Sequence, residues 1–93
     1  MLIFGMDDFQ DTCKDKFVEW FNRSQFAHRG PNDILTIDDE DVFVVWVCKT
    51  LRNYKCIVGT RFAPVIAEYT YNGENEELHE DIYKKIVNAS HSE

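Results

Sequence analysis

Residues 42–48 read Val-Phe-Val-Val-Trp-Val-Cys, an unbroken apolar run of four valines, two aromatics and a cysteine. Seven residues are too few for a free-standing helix, and β-branched and aromatic side chains favour extended backbone, so the segment predicts a strand. A strand with one face on a core and the other in water alternates apolar with polar residues. This one does not alternate. If the set Phe43, Val45 and Val47 turns inward, then Val42, Val44, Trp46 and Cys48 face out, and the reverse choice leaves an equally apolar surface. Something must cover it: the N-terminal Met1-Leu-Ile-Phe4, residues 24–37, a second copy of the chain, or another protein.

The neighbouring segments supply the rest of a fold. Leu51-Arg-Asn-Tyr54 predicts a turn into a second antiparallel strand over 55–61. Beyond a break at Pro64, Val65, Ala67, Tyr69 and Tyr71 alternate with Ile66, Glu68 and Thr70, which predicts a third strand ending at Asn72-Gly73. Upstream, Phe9, Cys13, Phe17, Trp20 and Phe21 recur at steps of three and four and predict an amphipathic helix over 7–22. Asp7 with Gln10 has the form of a capping box, and Arg23 suits the negative helix end. Residues 24–33, with Gly30-Pro-Asn-Asp33, predict a loop, and 34–37 a short extended piece. In 74–88, Leu78, Ile82, Tyr83, Ile86 and Val87 fall on one stripe between early glutamates and late lysines, which predicts a second helix. The expected fold is one α+β domain over 1–93, ordered α-β-β-β-α: a three-stranded antiparallel meander with two helices packed on one face. Residues 1–6 are expected as an N-terminal arm and 89–93 as a frayed tail.

Charge narrows the partners. Seventeen acids against ten bases give −7, which opposes a sequence-independent grip on phosphate backbones or anionic lipid. The double-stranded RNA-binding domain shares this order of elements, but it needs basic residues where its last helix begins. Here that position holds Glu74, Glu76, Glu77, Glu80 and Asp81, so no direct contact with nucleic acid is expected. The apolar Met1–Met6 stretch has no basic flank and runs into Asp7 and Asp8, and no run approaches the roughly 20 residues of a membrane helix. A cytoplasmic protein without membrane contact is expected. Cys13, Cys48 and Cys56 are odd in number, lie among apolar neighbours and form no C-x-x-C, so they read as free thiols, and the sequence leaves open whether Cys48 and Cys56 meet across the first hairpin. His28, His79 and His91 are isolated and the four glycines scattered. No catalytic residue, cofactor or metal ligand is assigned.

Acids gather at 7–19, 38–41 and 74–81, and predicted helix starts account for the first and last. Asp38-Asp-Glu-Asp41 is the exception. A calcium loop starting at Asp38 would need glycine at its sixth place, where the chain has Phe43. The run therefore reads as a solvated gatekeeper beside a sticky strand, or as an acidic edge facing a partner. In contrast, no acid occurs between residues 42 and 67, where Lys49, Arg52, Lys55 and Arg61 read as a solvated hairpin tip that balances neighbouring acids, or as a small docking patch.

The block from Val42 to Lys55, with Tyr69-Thr-Tyr-Asn-Gly73 and Asp81-Ile-Tyr-Lys-Lys85, resembles a family of short proteins of unknown function encoded by phages and prophages of Gram-positive bacteria. The likeness runs from the first helix to the last, with residues 24–37 and 1–5 as departures. It implies a setting, the host cell cytosol and an accessory gene, and carries over no site residues. The expected function is non-enzymatic: contact with a host or phage protein, as an acidic decoy for a nucleic-acid-binding protein. Asp38, Asp39, Glu40 and Asp41 form one patch, Glu76, Glu77 and Glu80 a second, and Trp46 an apolar anchor. The alternative is a small homo-oligomer, a homodimer in the simplest case, with a ligand or catalytic pocket at the subunit boundary.

Overall fold

A computed structural model describes residues 3, 5–86, 89 and 91. The chain runs α1 (Met6–Arg23), β1 (His28–Gly30), β2 (Asp33–Ile34), a 3-10 turn (Asp39–Asp41), β3 (Val42–Thr50), β4 (Asn53–Thr60), β5 (Val65–Asn72) and β6 (Glu77–Lys84). The last four strands form an antiparallel meander in the order β3-β4-β5-β6, and β1 with β2 makes a separate hairpin. The class is α+β; among the described residues there is one α-helix where two were expected, and a four-stranded sheet with a separate two-stranded hairpin where a three-stranded sheet was.

The helix exists because Phe9, Cys13, Phe17 and Phe21, spaced by four, are all fully buried on one stripe. It begins at Met6 behind Gly5, whose φ of 106° suits glycine, and no side chain caps it, so the Asp7–Gln10 box is not formed. Ser24 closes it, its hydroxyl and its N–H both donating to the Phe21 carbonyl at 2.7 and 2.9 Å. The stripe lies against one face of the sheet, where Val42, Tyr54, Cys56, Val58, Val65, Ala67, Tyr69 and Tyr71 complete the core. Residues 24–37 stay on that side too. Asn22 clamps the segment in both directions, donating to the Ile37 carbonyl at 3.0 Å and accepting from the Ile37 N–H at 2.9 Å, while Phe26 packs on Trp20 and Phe21. Ile3, the one described residue of the Met1–Phe4 stretch, also packs against this core.

The expected helix over 74–88 is instead β6, with Val87 and Asn88 outside the described residues. Leu78 and Ile82, four apart, satisfy a helical stripe, but they satisfy an alternating strand face equally well. The turn decides between them. Asn72 Oδ1 accepts from the N–H groups of Glu74 and Asn75 at 3.0 and 3.3 Å, and Glu76 adopts φ 53°, which returns the chain antiparallel along β5 from Asn72↔Glu77 to Val65↔Lys84. Tyr69, fully buried, then donates its hydroxyl to Glu80 at 2.7 Å.

The two hairpin turns touch: a Cβ on Gly73 would collide with the Arg52 carbonyl. Gly73→Ala should therefore destabilise the fold by about 1–3 kcal/mol. Leu51, 93% exposed, holds a left-handed backbone at φ 52°, so Leu51→Gly should stabilise by up to about 1 kcal/mol. Urea unfolding of both variants checks the opposite signs.

Candidate functional site

The apolar run is divided by a β-bulge. Val44 pairs with Val58 and Trp46 with Ile57, so Val45 is an extra residue that reverses the alternation after it. Val42, Val44 and Val47 turn toward the core, and Phe43, Val45 and Trp46 are about half exposed. Neither of the two alternating sets expected for this strand points inward whole, because strict period two holds only for an unbulged strand.

The register places a defined surface on the face away from α1. Phe43, Gly59, Ile66 and Tyr83 lie in one row across the sheet, and Trp46, Ile57, Glu68 and Asp81 in the next. Phe43, Trp46, Ile66 and Tyr83 are 51%, 47%, 42% and 50% exposed, an apolar band on an otherwise acidic protein. Phe43 lies across Gly59, where a Cβ would come within 3.2 Å of its ring; glycine at that position lets the aromatic lie down on the sheet. A hollow of about 440 Å³ opens beside it, lined by Phe43, Pro64, Ile66 and Tyr83 with Lys84 and Lys85. The lower part of the face is polar: Lys55 pairs with Glu68 at 3.1 Å, and His79 lies 3.4 Å from Glu77. Two carboxylates, Glu68 and Asp81, stand directly opposite across β5 and β6. Ile66 and Tyr83 were not among the expected contacts. The apolar side chain at 66, among Glu68 and Thr70 on the outer set of β5, was a usable signal, whereas Tyr83 was hidden by the helical reading of its segment.

The expected acidic patches fare differently. Asp38, Asp39, Glu40 and Asp41 stay together, but not as an uncompensated run. Asp38 Oδ1 accepts from the Glu40 N–H and Asp41 Oδ2 from the Asp38 N–H, both at 3.0 Å, a reciprocal cap on the 3-10 turn that leads into β3. Glu76, Glu77 and Glu80 do not form one patch. Glu76 is in the turn, Glu77 turns to the outer face, and Glu80 turns to the inner face to accept from Tyr69. The two groups sit at diagonally opposite corners of the sheet, since β3 starts in the row where β6 ends. Trp46 stands on the open face, away from both.

Cys48 and Cys56 lie on opposite faces of adjacent strands, Cys48 opposite Lys55 and Cys56 opposite Val47. Cys56 instead meets Cys13 of α1, both free and fully buried. The hydrogen bond to Cys56, then burial, holds the Cys13 thiol above its ordinary range. Burial, and then the bond to Glu80, likewise keeps the Tyr69 hydroxyl protonated. Among the described residues, no three His, Cys, Asp or Glu gather as a metal site requires, and no helix is long and apolar enough to cross a membrane.

The arrangement is that of a small α+β domain whose helix packs on one side of a four-stranded sheet and leaves an aromatic face open on the other. Residues 10–93 match the model of a family of unknown function (DUF6275), and the chain belongs to that family. No curated protein and no solved structure matches it.

One acidic contact has a pH signature. A hydrogen bond with Asp39, then slight burial and the charges of Asp39, Asp11 and Glu19, raises the Asp15 carboxyl above the usual carboxylate range. The folded state therefore binds this proton more tightly than the unfolded chain, so the contribution of the group is full in acid and is lost as pH rises through its titration. Asp15→Asn should stabilise the protein at neutral pH by less than about 1 kcal/mol, water screening the pair, and the gain should vanish in acid. Thermal unfolding of the two proteins across pH measures it.

Proposed function

We propose that this protein acts by protein–protein contact through the open face of its sheet, with Phe43, Trp46, Ile66 and Tyr83 as the apolar anchors. The observation that carries this reading is the exposed aromatic band itself: three rings and an isoleucine, each about half exposed, in two adjacent rows of a rigid antiparallel sheet. Aromatic residues held on a rigid scaffold lose little entropy on binding and desolvate a large area, which is how interface anchors work. The polar lower half, with Glu68, Asp81 and Glu77, sets the sign of a partner's rim and favours basic residues there. No nucleophile, base or phosphate loop is needed in this reading, and the role is non-enzymatic.

The acidic decoy becomes a secondary element of the proposal, because strand β6 disperses Glu76, Glu77 and Glu80 and only Asp38–Asp41 remain grouped. The setting in the host cytosol, as a phage or prophage accessory protein, rests on the resemblance of the β3–β4 block and stands as part of the same proposal.

Two variants separate the apolar face from the acidic corner. Ile66→Glu with Tyr83→Glu should abolish retention of a host protein captured by the wild type, and Trp46→Ala should weaken it, by about 2 kcal/mol or more for a central anchor. Glu40→Lys should change retention less and mainly at low salt. Equal retention by the wild type and the Ile66/Tyr83 variant, with folding confirmed by circular dichroism, would overturn the reading.

A further inference from the structure

We infer that β3 pairs with β3 of a second copy, antiparallel about a two-fold axis normal to the sheet, joining two four-stranded sheets into one of eight strands. The inference rests on the same open sheet as the reading above, but not on any third protein binding it. The two edges of the sheet differ. β6 carries Glu77, His79, Glu80, Asp81 and Lys84, the inward and outward charges by which edge strands refuse neighbours. β3, the other edge, is apolar from Val42 to Cys48, and only its bulge blunts it.

The ends of β3 point to a second copy as the occupant. Asp38–Asp41 enter the strand, and Lys49 and Arg52 leave it. Antiparallel self-pairing sets each acidic end beside the basic end of the other copy, twice over, whereas parallel pairing would set like on like. The bulge gives the register. Val42 and Val44 turn inward before it, and Val47 and Lys49, whose ammonium lies 5.7 Å from the Tyr54 ring centre, turn inward after it. Setting Val42 opposite Lys49 of the second copy, Phe43 opposite its Cys48 and Val44 opposite its Val47 keeps facing side chains on the same side of the joined sheet. Val45 and Trp46 then straddle the axis, and the outer apolar band runs unbroken from one copy to the other. A head-to-tail join of β3 to β6 would also bring acids near Lys84 and Lys85, but it lays apolar β3 along a charged strand and never closes.

Sedimentation and native mass measurement should show a closed dimer. Carbodiimide coupling of a one-to-one mixture of light and ¹⁵N-labelled chains should yield a light-to-heavy bond between Lys49 and Asp41. Within one chain these residues lie at opposite ends of β3, about 26 Å apart at the rise of a strand, beyond a zero-length bond. Lys49→Glu with Arg52→Glu should weaken self-association about tenfold or more, Asp39→Lys with Glu40→Lys should do the same, and mixing the two should restore a heterodimer. All four side chains are exposed, so the variants should keep the fold. A monomer up to millimolar concentration, open-ended polymers, or charge variants that dimerise as well as the wild type would overturn the inference. The Lys49/Arg52 variant leaves Ile66 and Tyr83 intact, so losing the dimer while keeping partner capture, or the reverse, tells which of the two proposals fails.

Discussion

A single helix against four strands is the constraint from which the rest of this structure follows. A helix with its side chains is about 10–12 Å across and strands are about 4.8 Å apart, so one helix roofs little more than two strands. The core is accordingly anchored where Phe9, Cys13, Phe17 and Phe21 meet β3 and β4, and β5 is buried by its own tyrosines, Tyr69 and Tyr71, beneath the helix flank. With no second helix, nothing in the described chain turns to the other side of the sheet. The folded 24–37 segment, held by Asn22 and Phe26, is drawn to the helix end instead.

The bulge at Val45 converts this asymmetry into a surface. Without it, an inward Val42 and Val44 would bring Trp46 and Cys48 to the core and leave Val45 and Val47 outside. Adding one residue keeps Val47 packed against the core and moves Trp46 out beside Ile57. The bulge thus exchanges a small outward valine for a large outward indole, at a position where the sheet also presents Phe43, Ile66 and Tyr83. An isolated fold gains nothing from exposing its larger apolar side chain, so the exchange is intelligible as a contact surface.

Much of this fold could be read from residue patterns, and the failures have common physics. The stripe of α1 persists along the helix, because Asp11, Asp15 and Glu19 break the period-two set between Phe9, Cys13, Phe17 and Phe21 at every step while the four-residue spacing holds. The hairpin of β3 and β4 and the alternation in β5 were equally plain. β6 was misread because a four-residue spacing belongs to both periods, and the deciding information, the Asn72 side chain turning the chain at Glu74 and Asn75, is a three-dimensional contact. The same holds at the candidate site. That residues 42–48, Trp46 among them, are apolar on both sides was visible in the sequence. That Phe43 and Tyr83 share a row, that Glu80 turns inward to Tyr69, and that Asp38–Asp41 cap their own turn all depend on register and local hydrogen bonding.

Net charge is at odds with self-association only if it is treated as a point. Two chains of −7 repel, but at physiological salt the Debye length is about 8 Å, so charges on the far sides of the two copies hardly meet. What matters is the local field along the joining edge, where the chain from Asp38 to Arg52 carries four acids at one end, two bases at the other and an apolar strand between. Added salt weakens the attraction between those ends and the repulsion between the acidic bodies together, so the two responses oppose each other. Salt dependence alone is therefore a poor guide to how this edge is used, and reversal of its terminal charges, which leaves the bodies nearly unchanged, is the informative perturbation.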